Sequence, residues 1–194
     1  MNTTSPVLRS ISIDDFQSVR DMWASGLRSN IETYSYPNSL RAEEESFIQD
    51  TLTSGDMKDF RSLIKKWGGE NGVFYVLEIG GEVVACVGAR REEGPSMSSQ
   101  PAPVPRIYEL GRFTVVSEVR GKKNLAPLLL EAAEKWASKD GGEVRIQATT
   151  VGLNRAAVRC YEKNGYSESF RGRRDGKKDE PDFVQVYKVI NDNK

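Results

Sequence analysis

The sequence predicts one α/β domain spanning residues 1–194, of the α+β type, with a mixed, mostly antiparallel sheet of about six or seven strands flanked by helices. Three observations support this fold class. A length of 194 residues suits one domain. A composition of 38% hydrophobic and 29% charged residues is ordinary for a globular chain with a buried core. Stretches of strand-like alternation interleave with stretches of helical periodicity, in the order β-α-α-(α)-β-β-β-α-β-α-β-β.

The first half of the chain contains most of the predicted helices. Ser12 and Asp15 have the spacing of a capping box at the start of a helix. Residues 31–39 predict a loop. The remaining predicted elements are a strand at 7–12, a helix from Phe16 onward, a helix at 40–52, a short helix within 54–69, and a hairpin of strands at 73–79 and 82–89.

The second half is predicted to supply the rest of the sheet. Its elements are strands at 106–116, 144–150, 166–172 and 182–190, and helices at 125–138 and 154–164. Helical spacing in the first of these helices predicts an apolar stripe of Leu125, Leu128, Leu129, Ala132, Ala133 and Trp136. The Pro/Ser-rich segment 92–105 predicts a mobile loop that could act as a lid.

Composition and charge exclude several classes of function. Lys+Arg and Asp+Glu both number 28, which argues against a general nucleic-acid binder, and no apolar stretch reaches the roughly 18 residues of a membrane span. Two cysteines, Cys86 and Cys160, fit a reduced cytoplasmic protein. The absence of histidine argues against His-based catalysis and a zinc site, so no metal is expected. The basic run RGRRDGKK at 171–178 is followed by acids and predicts a solvated loop, with nucleic-acid association as its alternative.

A basic turn precedes the helix at 125–138. Residues 119–130 read VRGKKNLAPLLL, with Asn124 as a candidate N-cap and Pro127 in the first turn. Unpaired amides at a helix start suit a phosphate, and Arg120, Lys122 and Lys123 add positive charge. From these residues alone, the stretch is either a phosphate-binding turn or an ordinary basic turn.

Two further positions are candidate functional sites. Asn154 and Tyr161 are seven residues apart and share one face of the helix at 154–164, either lining a groove or acting only as a cap and as packing. Glu109 lies in an apolar strand, where alternation places it with Gly111, Phe113 and Val115 on one side. It is either a functional carboxylate or the partner of an arginine. Gly111 in mid-strand indicates a bulge or a closely approaching ligand.

These motifs together resemble the GNAT superfamily of acyl-CoA-dependent N-acyltransferases over nearly the whole chain. One family motif, N-x-x-A-x-x-x-Y-x-x-x-G-[FY], is complete in Asn154, Ala157, Tyr161, Gly165 and Tyr166. The other, R-x-x-G-x-G/A, is partial, because Arg120 matches but Lys123 and Leu125 stand at the glycine positions. Glycine there would let backbone amides approach a phosphate closely.

The resemblance implies an N-acetyltransferase that uses acetyl-CoA as cosubstrate and transfers the acetyl group directly to an amine of unknown identity. By the family pattern, Tyr161 is the acid that protonates the thiolate and Glu109 is the base, acting directly or through water. The implied coenzyme A contacts are Phe113, Thr114, Val115, Arg120, Gly121, Lys122, Lys123, Asn124, Leu125, Ala126, Asn154, Ala157 and Tyr161. The altered loop leaves a non-catalytic coenzyme A-binding module as the alternative. A homodimer is compatible with the resemblance.

Overall fold

A computed structural model of the chain describes residues 5–92, 105–121, 124–172 and 183–191. The helices are α1 (Phe16–Thr33), α2 (Asn38–Thr53), α3 (Phe60–Trp67), α4 (Leu125–Ser138) and α5 (Arg155–Lys163). The strands are β1 (Val7–Ser10), β2 (Gly72–Ile79), β3 (Glu82–Arg91), β4 (Arg106–Val115), β5 (Val144–Val151), β6 (Ser167–Gly172) and β7 (Phe183–Ile190). Single 3-10 turns cover Ile13–Asp15 and Ser117–Val119. The predicted order of elements is confirmed, including the short third helix.

One seven-stranded sheet runs through the described residues, in the order β1-β2-β3-β4-β5-β7-β6. Every neighbouring pair is antiparallel except β4 and β5, which are parallel. The predicted fold class is therefore confirmed. The lid expected at 92–105 and the basic run at 171–178 lie almost wholly outside the described residues.

Helices cover both faces of the sheet. The first face carries α1, α2 and α3, whose core includes Val19, Trp23, Ile48, Leu63 and Trp67. The opposite face carries α4 and α5, whose core includes Leu129, Ala133, Ile146, Val158 and Tyr161. The alternation predicted for β5 is confirmed, because Val144, Ile146 and Ala148 are all buried. No helix in the described part of the chain is long and apolar enough to cross a membrane.

The connection between α1 and α2 is shorter than predicted. The capping box is present, with the Ser12 N–H donating to the Asp15 carboxylate at 2.7 Å. The loop expected at 31–39 shrinks to 34–37, because buried Ile31 keeps the end of α1 on the core and Asn38 already begins α2.

The buried face of α4 is rotated from the predicted stripe. The buried residues are Leu125, Leu129, Leu130, Ala133 and Ala137, whereas Leu128 is 38% exposed. Three consecutive leucines at 128–130 satisfy several helical stripes equally well, so spacing alone could not choose between Leu128 and Leu130.

Candidate active site

A groove opens where β4 and β5 separate. Their parallel pairing begins at Arg106 opposite Val144 and ends at Leu110 opposite Ala148. Both strands continue beyond that point, β4 to Val115 and β5 to Val151. Residues 111–115 therefore have β3 on one edge and no strand on the other edge within the described residues. Alternate backbone N–H and C=O groups on that edge are left for another partner. We call this opening, between 111–115 and 149–151, the β4–β5 groove.

A β-bulge interrupts β4 at the start of the groove. Gly111 lies opposite Gly88, whereas Thr114 lies opposite Cys86, so three steps on β4 match two on β3. The extra residue is Arg112, whose φ of 55° is in the left-handed region. An unpaired extra residue of this kind bends a strand and changes which face the following side chains occupy.

The bulge overturns the predicted alternation of β4. Glu109 and Gly111 face α1–α3, because the Trp67 indole packs so closely against Gly111 that any side chain there would overlap the ring. Phe113 and Val115 pack instead with the α4–α5 core, on the opposite face. The prediction that all four share one side was wrong because strict alternation assumes that no residue is inserted.

Tyr161 of α5 lies against the end of β4, on the face that Phe113 reaches. Its ring centroid is 5.8 Å from that of Phe113 and 5.4 Å from that of Tyr166. The side chain is 4% exposed, and burial raises the pKa of the phenol well above its usual range. The phenol is therefore protonated at neutral pH, which is the state required of a proton donor.

Asn154 is the N-cap of α5, as one of its two sequence interpretations predicted. Its Oδ1 accepts a hydrogen bond from the Ala157 N–H at 3.1 Å. The helix ends at Lys163, and Gly165 follows with a φ of 84°. The residues of the complete motif thus define a whole helix, with its start, its buried tyrosine and its end.

Asn124 is the N-cap residue of α4, as predicted. Its φ of 51° is left-handed, and its side chain makes no capping hydrogen bond, because such a bond requires an extended backbone at that residue. The Asn124 carbonyl accepts from the Leu128 N–H at 3.3 Å. Leu125 is buried in the core, and Lys122 and Lys123 lie outside the described residues.

Arg120 folds back onto the end of β4 instead of extending outward. Its Nε donates to the Val115 carbonyl at 2.8 Å. Gly121 follows with a φ of 72°, which suits a glycine in a tight turn. The arginine therefore ties the turn before α4 to the end of the strand.

Glu109 is paired with Arg90 of β3, which confirms the arginine-paired interpretation. Both contacts use one carboxylate oxygen, with Arg90 Nε at 2.8 Å and Nη2 at 2.5 Å from Oε2. The other oxygen, Oε1, has no hydrogen-bond partner among the described residues. The Glu109 side chain as a whole is 33% exposed.

A cluster that the sequence analysis missed lies on the α1–α3 face of the bulge. It joins the Asp56 carboxylate, the Arg112 guanidinium and the Trp67 indole. The one available signal was Arg112 itself, a charged residue between apolar positions of a central strand. Within the described residues, no group of three or more His, Cys, Asp or Glu side chains could hold a metal ion.

Comparisons with known proteins agree with this geometry. Residues 38–166 match the sequence model described as the acetyltransferase (GNAT) family. No curated protein sequence matches the chain significantly. The structure is similar to the PaiA N-acetyltransferase of Thermoplasma acidophilum in complex with coenzyme A, with a TM-score of 0.68 and 16% identity, covering 96% of this chain and 99% of that one.

Two other similar structures have different acceptors in their names. One is the spermidine N-acetyltransferase of Vibrio cholerae in complex with coenzyme A and spermine, with a TM-score of 0.58, 15% identity and 95% of both chains covered. The other is the ribosomal-protein-alanine N-acetyltransferase of Brucella melitensis, with a TM-score of 0.56, 15% identity, and 95% of this chain and 99% of that one covered. At these identities the likeness establishes the fold.

Proposed function

The chain belongs to the acetyltransferase (GNAT) family, and from that membership we propose that it transfers an acetyl group from acetyl-CoA directly to an amine. The observation that carries this proposal is the position of Tyr161, a buried phenol beside the β4–β5 groove and 5.8 Å from Phe113. A non-catalytic coenzyme A-binding module has no need for a proton donor at that point.

Coenzyme A lies in the groove in this proposal. The backbone of Phe113, Thr114 and Val115 binds the pantetheine amides, and one of its N–H groups stabilises the negative charge on the thioester oxygen. The pyrophosphate lies at the start of α4, where the N–H groups of Leu125 and Ala126 precede Pro127. The burial of Leu125 supports this, since its side chain does not cover the surface of that turn. The remaining proposed contacts are Arg120, Gly121, Lys122, Lys123, Asn124, Asn154 and Ala157.

Tyr161 protonates the departing sulfur. The amine nitrogen forms a bond to the thioester carbon, the C–S bond breaks, and the phenol proton passes to the thiolate; solvent then restores the phenol. In water a thiol has a pKa of about 8.5 and a phenol about 10. Because the two values are close, a phenol placed against the departing sulfur can donate its proton to the thiolate.

Glu109 accepts the proton that the amine loses, directly or through a water molecule. Its Oε1 is the oxygen that remains when Arg90 occupies Oε2. Arg90 also holds the carboxylate in one orientation. A general base needs a fixed orientation because it must lie within hydrogen-bond reach of the proton that it accepts.

The acceptor is tested with a panel rather than a single amine. The relatives' names include spermine and a ribosomal-protein alanine, so the panel contains polyamines, amino acids, peptides with free N-termini and peptides with a lysine side chain. Calorimetry measures the binding of coenzyme A, and release of the free thiol measures transfer. We expect micromolar binding and transfer to at least one class.

Three outcomes separate the alternatives. Binding with no transfer to any amine favours the non-catalytic module, which the altered positions Lys123 and Leu125 suggest. Transfer that is unchanged in both Tyr161→Phe and Glu109→Gln contradicts the proposed roles. No binding of coenzyme A contradicts the proposal as a whole.

A further inference from the structure

The bulge of β4 is held by an ion pair that comes from outside the sheet. Asp56 lies between α2 and α3, and its carboxylate grips Arg112 with both oxygens, with Nη2 2.5 Å from Oδ1 and Nε 3.0 Å from Oδ2. The Trp67 indole N–H also donates to Oδ2. The Asp56 side chain is 5% exposed and that of Arg112 is 10% exposed. A two-point grip of this kind fixes orientation as well as position.

Three aromatic rings also contact the Arg112 guanidinium. Arg112 Cζ lies 4.8 Å from the ring centroid of Trp23, 5.6 Å from that of Phe47 and 6.0 Å from that of Trp67. At the other end of the residue, the Arg112 carbonyl accepts from Cys86 Sγ at 3.1 Å. Side chain and backbone are therefore both held while φ stays in a region that arginine seldom adopts.

The bulge determines which residues meet Tyr161. Without the inserted residue, Phe113 would follow the alternation of Glu109 and Gly111 and face α1–α3. With the insertion, Phe113 faces α5 and its ring lies 5.8 Å from Tyr161. The bulge also changes the direction of the backbone N–H and C=O groups at 111–115. The groove therefore has this arrangement only while Arg112 keeps its left-handed conformation.

From these contacts we propose that Asp56 is a positioning residue for acetyl transfer: by gripping Arg112 it fixes the bulge, and thereby the backbone and side chains that the groove presents to the thioester. The inference rests on the proposed function for its catalytic part. Asp56 contacts the Arg112 side chain on the α1–α3 face of the sheet, and it acts on the groove through that residue.

The decisive variant is Asp56→Asn, which keeps the shape of the side chain and removes the charge. The matched control is Asp15→Asn, because Asp15 is another little-exposed carboxylate gripped by an arginine, with Arg9 nitrogens at 2.6 and 2.8 Å, next to the far edge of the sheet. Both changes break a two-point ion pair, but only one lies at the bulge. Arg112→Lys keeps the charge, removes the planar fork, and provides a second test should Asp56→Asn not fold.

The first measurement needs no ligand. The ¹³Cα chemical shift of residue 112 reports its backbone conformation, and the amide shifts of 113–115 report the strand after the bulge. We expect these shifts to change in Asp56→Asn or Arg112→Lys and to be unchanged in Asp15→Asn. Unchanged shifts in a folded Asp56→Asn would overturn the inference and leave the proposed function standing.

The second measurement is of acetyl transfer and of the ¹³C-labelled thioester carbonyl stretch of bound acetyl-CoA. We expect kcat in Asp56→Asn to fall by about 10- to 100-fold, the size expected for a misplacement of roughly 1 Å, with the KM for acetyl-CoA changing by less than about threefold. The carbonyl stretch moves toward its value in free acetyl-CoA. A normal kcat and carbonyl stretch despite altered shifts would overturn the catalytic part. Failure of the unaltered protein to bind coenzyme A contradicts the proposed function instead.

Discussion

The two sides of the β4–β5 groove are built in different ways. On the α5 side, every residue of the family motif is present and the helix is capped by Asn154 in the ordinary manner. On the β4–α4 side, the motif glycines are replaced, Asn124 is left-handed, and the strand is bent by a bulge at Arg112. The conformation of the α5 side follows from residues close together in the sequence. The conformation of the β4–α4 side depends on contacts with residues far away in the sequence, above all Asp56. Variants of those distant residues are therefore needed to test it.

The largest expected effect tests the α5 side. Tyr161→Phe removes the proposed acid but keeps the ring against Phe113 and Tyr166. We expect acetyl transfer to fall by about 10²–10⁴-fold, the usual contribution of a general acid, while the affinity for coenzyme A stays within a few-fold. Steady-state kinetics and calorimetry measure the two quantities.

The control for this prediction is Tyr108→Phe. Tyr108 is also a buried tyrosine, held edge-on to Trp136 at the opposite end of β4 from the groove. We expect its transfer rate to stay near that of the unaltered protein. Equal losses in both variants would show that the Tyr161 phenol has no special role.

The sequence predicted the fold and the α5 side because both follow local periodicity. Strand alternation and helical periodicity together predicted the order of the elements. A spacing of seven residues placed Asn154 and Tyr161 on one face of a helix. Gly111 in mid-strand indicated a bulge as one of two interpretations, and the bulge is confirmed. Its exact position at Arg112, and the change of face that follows for Phe113 and Val115, could not be predicted from one glycine. The ion-pair partner Asp56 is 56 residues distant from Arg112 in the chain, and only the packing of α3 brings the two together.

The next largest effect tests the altered loop on the α4 side. Leu125→Gly restores the motif glycine but removes a side chain that is 2% exposed in the core. We expect the free energy of unfolding to fall by about 2–5 kcal/mol, as for other large-to-small core changes. Denaturant unfolding measures this loss.

Lys123→Gly is the comparison for that variant. It restores the other motif glycine, at a position outside the described residues, and removes one positive charge. We expect coenzyme A binding to be preserved or tightened. A large loss of affinity in Lys123→Gly would mean that this loop is not the counterpart of the family's phosphate-binding turn.

A smaller effect separates the two roles of Asn154. Asn154→Ala removes a helix cap, and we expect a loss of about 1 kcal/mol in the free energy of unfolding. Asp59→Ala removes the corresponding cap of α3, where the Asp59 carboxylate accepts from the Ser62 N–H at 2.7 Å. If Asn154 also binds the cofactor, only Asn154→Ala raises the Kd for coenzyme A. An equal Kd in both variants would leave Asn154 with a capping role alone.

The smallest expected effect is the absence of a decline in the transfer rate up to about pH 9. Burial raises the pKa of the Tyr161 phenol, so the folded protein keeps this proton where the phenol of an unfolded chain, at about pH 10, begins to lose it. Above that pH the folded state binds more protons than the unfolded state, and stability falls as pH rises. Below it, the rate rises as the amine acceptor loses its proton and shows no decline from loss of the acid. A pH profile of kcat/KM that fell between neutrality and about pH 9 would contradict a buried phenol as the acid. Tyr161→Phe should reduce the alkaline loss of stability, which thermal unfolding against pH would detect.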